Sequence, residues 1–212
     1  RILIPTIMRK VDLEEKNEFL PLLSQNISII EVGAYSQIFE KFIKFLGIKS
    51  LILTDIDAIK VTHQDKDGKD VWGVCPVNEG IKTSNSAINH FLSKDITWDN
   101  LKLLDITART ISNGKIFLCY QREEDSYHAR SFEDAFIHIN RSFIDAKIED
   151  FQGLKNRKCF NDGVSDAYIL AEKCITKKTH FALDILYHSN DDFSNWQIPA
   201  YIKEGLLWLK AD

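Results

Sequence analysis

LILTDIDAIK, residues 51–60, is the stretch whose reading decides the fold. The apolar run before Asp55 reads as a strand buried on both faces, and such strands belong to parallel sheets. Side chains alternate along a strand, so Asp55 and Asp57 are expected to point the same way from its carboxyl edge, where open α/β sheets place ligands. Two carboxylates that close repel unless something positive neutralises them, and a hard divalent cation such as Mg²⁺ suits the pair. A solvated strand end, where aspartate is a good turn and cap residue, explains the same residues without function.

Working outward, SIIEV (residues 28–32) reads as a short strand carrying Glu31 near its end. YSQIFEKFIKFLG then reads as a helix stopped by Gly47, so that these elements and LILTDID form a β-α-β unit. Residues 1 to about 20 read as a helix with an acidic, lysine-rich tail. HQDKDGKDVWGVCPVN reads as a hairpin around Asp67-Gly68; its D-x-D-G fragment lacks the other ligands of a calcium loop. TSNSAINHFLSK and WDNLKLLDITA read as helices, and GKIFLCYQ as another buried strand. The second half, SFEDAFIHINRSFI, SDAYILAEKCI, THFALDILYHS and IPAYIKEGLLWLK, is mostly helical in pattern. The expectation is one α/β domain over residues 1–212, with a mostly parallel sheet core in about residues 1–125 and a C-terminal helical layer in about 126–212.

A chain of 212 residues with 44% hydrophobic and 27% charged residues has the make-up of an ordinary globular protein. Its net charge of −4 supplies no global basic field, so nucleic-acid binding would need a local patch. Cys75, Cys119, Cys159 and Cys174 are widely spaced, without a C-x-x-C pair. They read as reduced thiols of a cytoplasmic protein rather than a zinc site or disulfide framework. No apolar stretch approaches the ~20 residues of a membrane span, so no membrane partner is expected. No G-x-x-x-x-G-K-[ST] occurs. The opening Arg1-Ile2-Leu3-Ile4-Pro5 lies already inside an apolar pattern and lacks Met, which reads as a piece of something longer.

Three further stretches hold candidates. Glu31 shares the expected sheet edge, or is simply solvated before a glycine turn. In YHARSFEDAF, Ser131 and Asp134 suit a capping box, which leaves Glu133 in the first helical turn where the macrodipole favours a carboxylate. His128 and Arg130 come just before; Arg130 suits a bidentate fork on a phosphate, or an ion pair with a nearby acid. In TKKTHFALDIL, Lys177 and Lys178 precede Thr179, a suitable N-cap. Cations at a helix N-terminus call for a compensating anion such as a scissile phosphate, unless they are simply solvated.

In this order RILIP, IIEVG, LILTDID, YHARSFEDAF, KKTHFALDIL and WQIPAYIKEGLLWL cover nearly the whole chain. Together they resemble the Toprim nuclease domain of the OLD (overcoming lysogenization defect) family of ATP-dependent endonucleases, in its Gabija-nuclease-like branch. The resemblance implies a Toprim (Rossmann-like) core and Mg²⁺-dependent cleavage of double-stranded DNA, with Mn²⁺ able to substitute, in anti-phage defence or DNA processing in the bacterial cytoplasm. It implies Asp55 and Asp57 as metal ligands, and Glu133 or Asp134 as a further acidic ligand. Glu31, a further metal-ligand candidate, matches the glutamate of the family's I-E-V-G. Lys178, or failing it Lys177, stabilises charge on the phosphate, and Arg130, His128 and Lys177 contact DNA. It also implies an ATPase domain upstream, the sole route by which ATP enters, a homo-oligomer, and a helicase partner in Gabija. The family's first glutamate, in V-E-G, would precede Arg1, and EVGAYS is one glycine shorter than the family's E-V-G-G.

Two rival readings stand beside this one. A haloacid-dehalogenase-type phosphatase also uses D-x-D, but continues D-x-D-x-[TV] where this chain has Ile59. A DNA-binding or assembly module would use Trp196, Tyr201, Leu206, Leu207 and Trp208, which core packing also explains.

Overall fold

The computed structural model describes residues 1–15, 20–92 and 95–210. Its first elements are α1 (Ile4–Glu14), a 3₁₀ turn (Gly33–Phe39) running into α2 (Glu40–Leu46), β1 (Ser50–Leu53), β2 (Ala58–Gln64) and β3 (Asp70–Val74). Then come β4 (Lys82–Thr83), α3 (Ser86–Phe91), α4 (Trp98–Leu103), α5 (Ile106–Arg109), β5 (Thr110–Ile111), β6 (Ile116–Cys119), β7 (Glu123–Glu124) and β8 (Tyr127–His128). The remainder is helical: α6 (Phe132–Ile139), α7 (Arg141–Asp145), α8 (Lys158–Asn161), α9 (Ala167–Cys174), α10 (Lys178–His188) and α11 (Ala200–Lys210). The chain divides into a sheet-bearing unit, residues 32–131, and a helical unit built from residues 1–31 and 132–212.

In the sheet-bearing unit the strand order β1-β6-β5 places β6 centrally, and all four of its residues are buried. Its continuous apolar run, IFLC, is what a strand covered on both faces requires. β1 pairs with β6 in parallel from Ser50↔Ile116 to Leu53↔Cys119, and this parallel pair gives the chain its Rossmann-like α/β character. β5 adds to β6 antiparallel, and β2, β3 and β4 form a separate antiparallel sheet. The expected hairpin is present as β2 and β3. Asp65 Oδ1 accepts the amides of Asp67 and Lys69 at 2.9 Å each, and Gly68 takes φ +75°, a left-handed turn that glycine adopts without strain. Ile52, Ile56, Ile88, Leu101, Ile116 and Leu118 make the centre of this unit's core.

Two expectations fail here. Residues 28–32 form no strand, so the β-α-β unit is not made: no described residue pairs with them, and Glu31 is exposed. A strand needs a neighbour to satisfy its backbone groups, and apolar character alone does not supply one. β1 is only half-buried, because β6 is its single partner among the described residues. The helical apolar period of residues 38–46 is real, and Gly47 ends α2 in left-handed geometry, but no residue of α2 is buried and Phe45 is 85% exposed.

The helical unit packs α1 against α11 and α6 against α9. Phe136 lies at its aromatic centre, 5.9 Å from the rings of both Phe181 and Trp196 and 6.1 Å from Phe143. Gly153 is required there, since a side chain at that position would run into the backbone of Phe181. Asp12 accepts from Lys210 at 3.2 Å and from the amide of Leu22 at 2.8 Å, tying both ends of the described chain together. α1 ends at Glu14; its expected tail falls partly on residues 16–19, and the end of TSNSAINHFLSK on 93–94, outside the described residues. Trp196, Tyr201 and Leu206 are buried, which favours packing over an interface for them.

Candidate active site

Residues 54–57 leave the carboxyl end of β1, where Thr54 continues the ladder by donating its amide to Cys119 at 3.0 Å. The segment is braced atom by atom. The amide of Ile56 donates to Gln121 Oε1 at 2.8 Å, and its carbonyl accepts from Thr83 Oγ1 at 2.6 Å. The carbonyl of Asp55 accepts from Asn85 Nδ2 at 2.8 Å, and that of Asp57 accepts from the Ser84 amide at 3.0 Å. A buried carbonyl or amide left unmatched costs about 1–3 kcal/mol, so this bracing sets the conformation of the segment.

The two aspartates are held differently. Asp55 Oδ1 accepts from Gln121 Nε2 at 2.6 Å. Asp57 Oδ1 pairs with Arg130 Nη2 at 3.0 Å, while its Oδ2 lies 3.4 Å from Asn85 Nδ2. Asp57 itself takes φ +50°, in the left-handed region. Strand alternation therefore does not orient the pair, contrary to expectation; the aspartates sit just past the strand, in a turn that an aspartate tolerates better than most residues.

Arg130 also donates from Nε to the Ala58 carbonyl at 3.2 Å. Of its two expected roles, the structure displays the ion pair with an acid. His128 Nε2 lies 3.0 Å from the Gln121 carbonyl, so it helps set the segment between β6 and β7 that carries Gln121. Gln121 and Asn85 were not singled out from the sequence. Asn85 also caps α3, accepting the amides of Ala87 and Ile88 at 3.0 and 3.1 Å, and the S-N-S-A pattern carried that signal.

The other sequence-predicted residues belong to the helical unit. Glu133 and Asp134 lie in the first turn of α6 and are buried, and Lys178 Nζ reaches Glu133 Oε2 at 2.9 Å. α10 begins at Lys178 rather than after Thr179, and Lys177 occupies its N-cap position without a side-chain cap. The expected cap by Thr179 is thus replaced, and the compensating anion near Lys178 is the Glu133 carboxylate. Glu31 lies in this unit too, exposed.

Among the described residues no group of three or more His, Cys, Asp or Glu side chains gathers as a metal cage. Mg²⁺ does not need one: it commonly keeps several waters and takes one or two carboxylates plus substrate phosphate. The hard oxygens of Asp55 and Asp57 fit that donor set, and the Arg130 guanidinium on Asp57 supplies the positive neighbour that the carboxylate calls for.

The family model described as overcoming lysogenization defect protein-like, TOPRIM domain, matches residues 1–57, a span that ends on Asp57. The resemblance to the OLD-type Toprim domain stands. The chain is also 26% identical to "Endonuclease GajA" of Bacillus cereus (strain HuB5-5) over 196 residues, which cover 86% of this chain. The chain spans 27% of the length of that curated relative. No solved structure matches it. No described helix is long and apolar enough to cross a membrane.

Proposed function

We propose that this Toprim-type domain is a divalent-metal-dependent nuclease that cleaves phosphodiester bonds of double-stranded DNA. The observation that carries the reading is the braced Asp55–Asp57 pair at the carboxyl end of a parallel strand, inside the segment that resembles the OLD-type Toprim domain. Asp55 and Asp57 would hold Mg²⁺ or Mn²⁺, which supplies charge compensation at the scissile phosphate and helps generate the nucleophile. Gln121 orients Asp55, and Arg130 fixes one oxygen of Asp57. Asn85 holds the backbone between them, so the acids do not need to reorganise on binding.

On the resemblance, Glu133 or Asp134 is proposed as a further acidic ligand and Lys178 as the cation for the phosphate, with Lys177 as its alternative. Arg130, His128 and Lys177 are proposed DNA contacts. An ATPase domain, homo-oligomerisation, a helicase partner and a role in anti-phage defence belong to the same proposal. The relative's name, an endonuclease, is consistent with it.

The test is nicking of supercoiled plasmid in Mg²⁺ or Mn²⁺ against an EDTA control. Metal-dependent conversion to the open circle, abolished in Asp55→Ala, supports the reading. Nicking that survives EDTA or survives Asp55→Ala contradicts it.

A further inference from the structure

The helical unit contains a thiol pair that the spacing of its cysteines conceals. Cys159 lies in α8, partly exposed, and Cys174 ends α9, fully buried, yet both reach the same backbone carbonyl. The approach is built into the backbone. Leu154 bridges Ile175 in antiparallel fashion, the Lys155 amide donates to the Cys174 carbonyl at 2.7 Å, and Asn156 Nδ2 donates to the Lys173 carbonyl at 3.0 Å. The carbonyl of Asn156 then accepts both the Cys159 amide at 2.8 Å and the Cys174 thiol at 3.7 Å. One carbonyl within reach of both the Cys159 amide and the Cys174 thiol brings the two cysteines close enough for their side chains to meet.

We propose that Cys159 and Cys174 are a reversible dithiol–disulfide modification site, oxidised by hydrogen peroxide or an organic hydroperoxide. Cys159 is the attacking residue, because it is the one a small oxidant can reach. Its thiolate sulfur bonds to one peroxide oxygen, the O–O bond breaks, and the leaving hydroxide takes a proton to become water. The sulfur of Cys174 then displaces the sulfenic oxygen of Cys159, which leaves as a second water with the Cys174 proton. The two thiols lose two electrons to the peroxide, and a dithiol reductant restores them. Burial, followed by the neighbouring Cys159, pushes the Cys174 thiol up to about 11, which keeps it protonated. The product would tie α8 to α9, and α9 packs against α6, which carries Glu133 and Asp134.

The experiment is brief treatment of the purified protein with hydrogen peroxide, thiol titration in denaturant, and mass spectrometry of the alkylated, unreduced digest. Reduced protein carries four thiols; the expected result is loss of one pair, a linked Cys159–Cys174 peptide lighter by two hydrogens, and full recovery with dithiothreitol. Cys159→Ser, at a partly exposed position, is expected to show no linked peptide and no paired loss. Retention of all four thiols overturns the proposal. Conversion of Cys159 to sulfinic or sulfonic acid without linkage, or paired loss persisting in Cys159→Ser, does so equally.

Discussion

Gln121 donates from Nε2 to Asp55 at 2.6 Å while its Oε1 takes the amide of Ile56 at 2.8 Å, so one buried carboxamide sets both the acid and the backbone beside it. Gln121→Leu removes both bonds and strands the Ile56 amide. Urea denaturation is expected to show a loss of about 1–3 kcal/mol.

Asn85 allows capping to be separated from site support. Asn85→Ala loses the α3 cap and the contacts to Thr54 and Asp55, so a loss of about 1–2 kcal/mol is expected. Asn85→Asp keeps the cap acceptor and loses the donors. It leaves the Asp55 carbonyl unmatched and sets a carboxylate against Asp57, so it is expected to lose about 1–3 kcal/mol although the cap remains, and to lower nicking more than that change explains.

Asp57 sits at φ +50°, where a Cβ is strained. Asp57→Gly is therefore expected to be more stable than Asp57→Ala by about 1 kcal/mol, although both remove the same carboxylate. Equal thermal midpoints for the two variants would contradict the left-handed assignment.

At the α1–α11 contact, burial works to raise the Glu14 carboxyl, but hydrogen bonds from Lys10 and Lys203 outweigh it and hold the group below its ordinary value. Burial likewise works to lower Lys203, and Glu14 and Glu15 outweigh it, so that ammonium is held above its ordinary value. A depressed carboxyl contributes stability that is complete above its unfolded value of 4.5 and is lost as pH falls through the folded one. A raised ammonium contributes below its unfolded value of 10.5 and fades as pH rises through the folded one. Lys203→Met is thus expected to flatten the fall in thermal midpoint on acidification below about pH 4.5, read by scanning calorimetry.

Elements that depend on local pattern were legible in the sequence. The helical periods of α6, α9, α10 and α11, the Asp67-Gly68 hairpin and the buried run of β6 each declare themselves within a few residues. What failed depends on partners distant in sequence. Residues 28–32 have strand composition but no described neighbour, and Gln121 lies 66 residues from Asp55. The Asp55–Asp57 pair lies past the carboxyl end of β1, but strand alternation does not orient it, because the chain turns left-handed at Asp57. Lys178 was read as facing an anion, and the anion present is Glu133, a pairing that spacing could not reveal.

The most direct measurement of the central claim is binding of Mn²⁺, followed by electron paramagnetic resonance or calorimetric titration, to the unaltered protein and to Asp55→Asn and Asp57→Asn, with folding of each verified by circular dichroism. The expected result is saturable binding to the unaltered protein, weakened at least about tenfold, or 1.4 kcal/mol, in each variant. Folded variants that bind Mn²⁺ as tightly as the unaltered protein would contradict the assignment of Asp55 and Asp57 as its ligands.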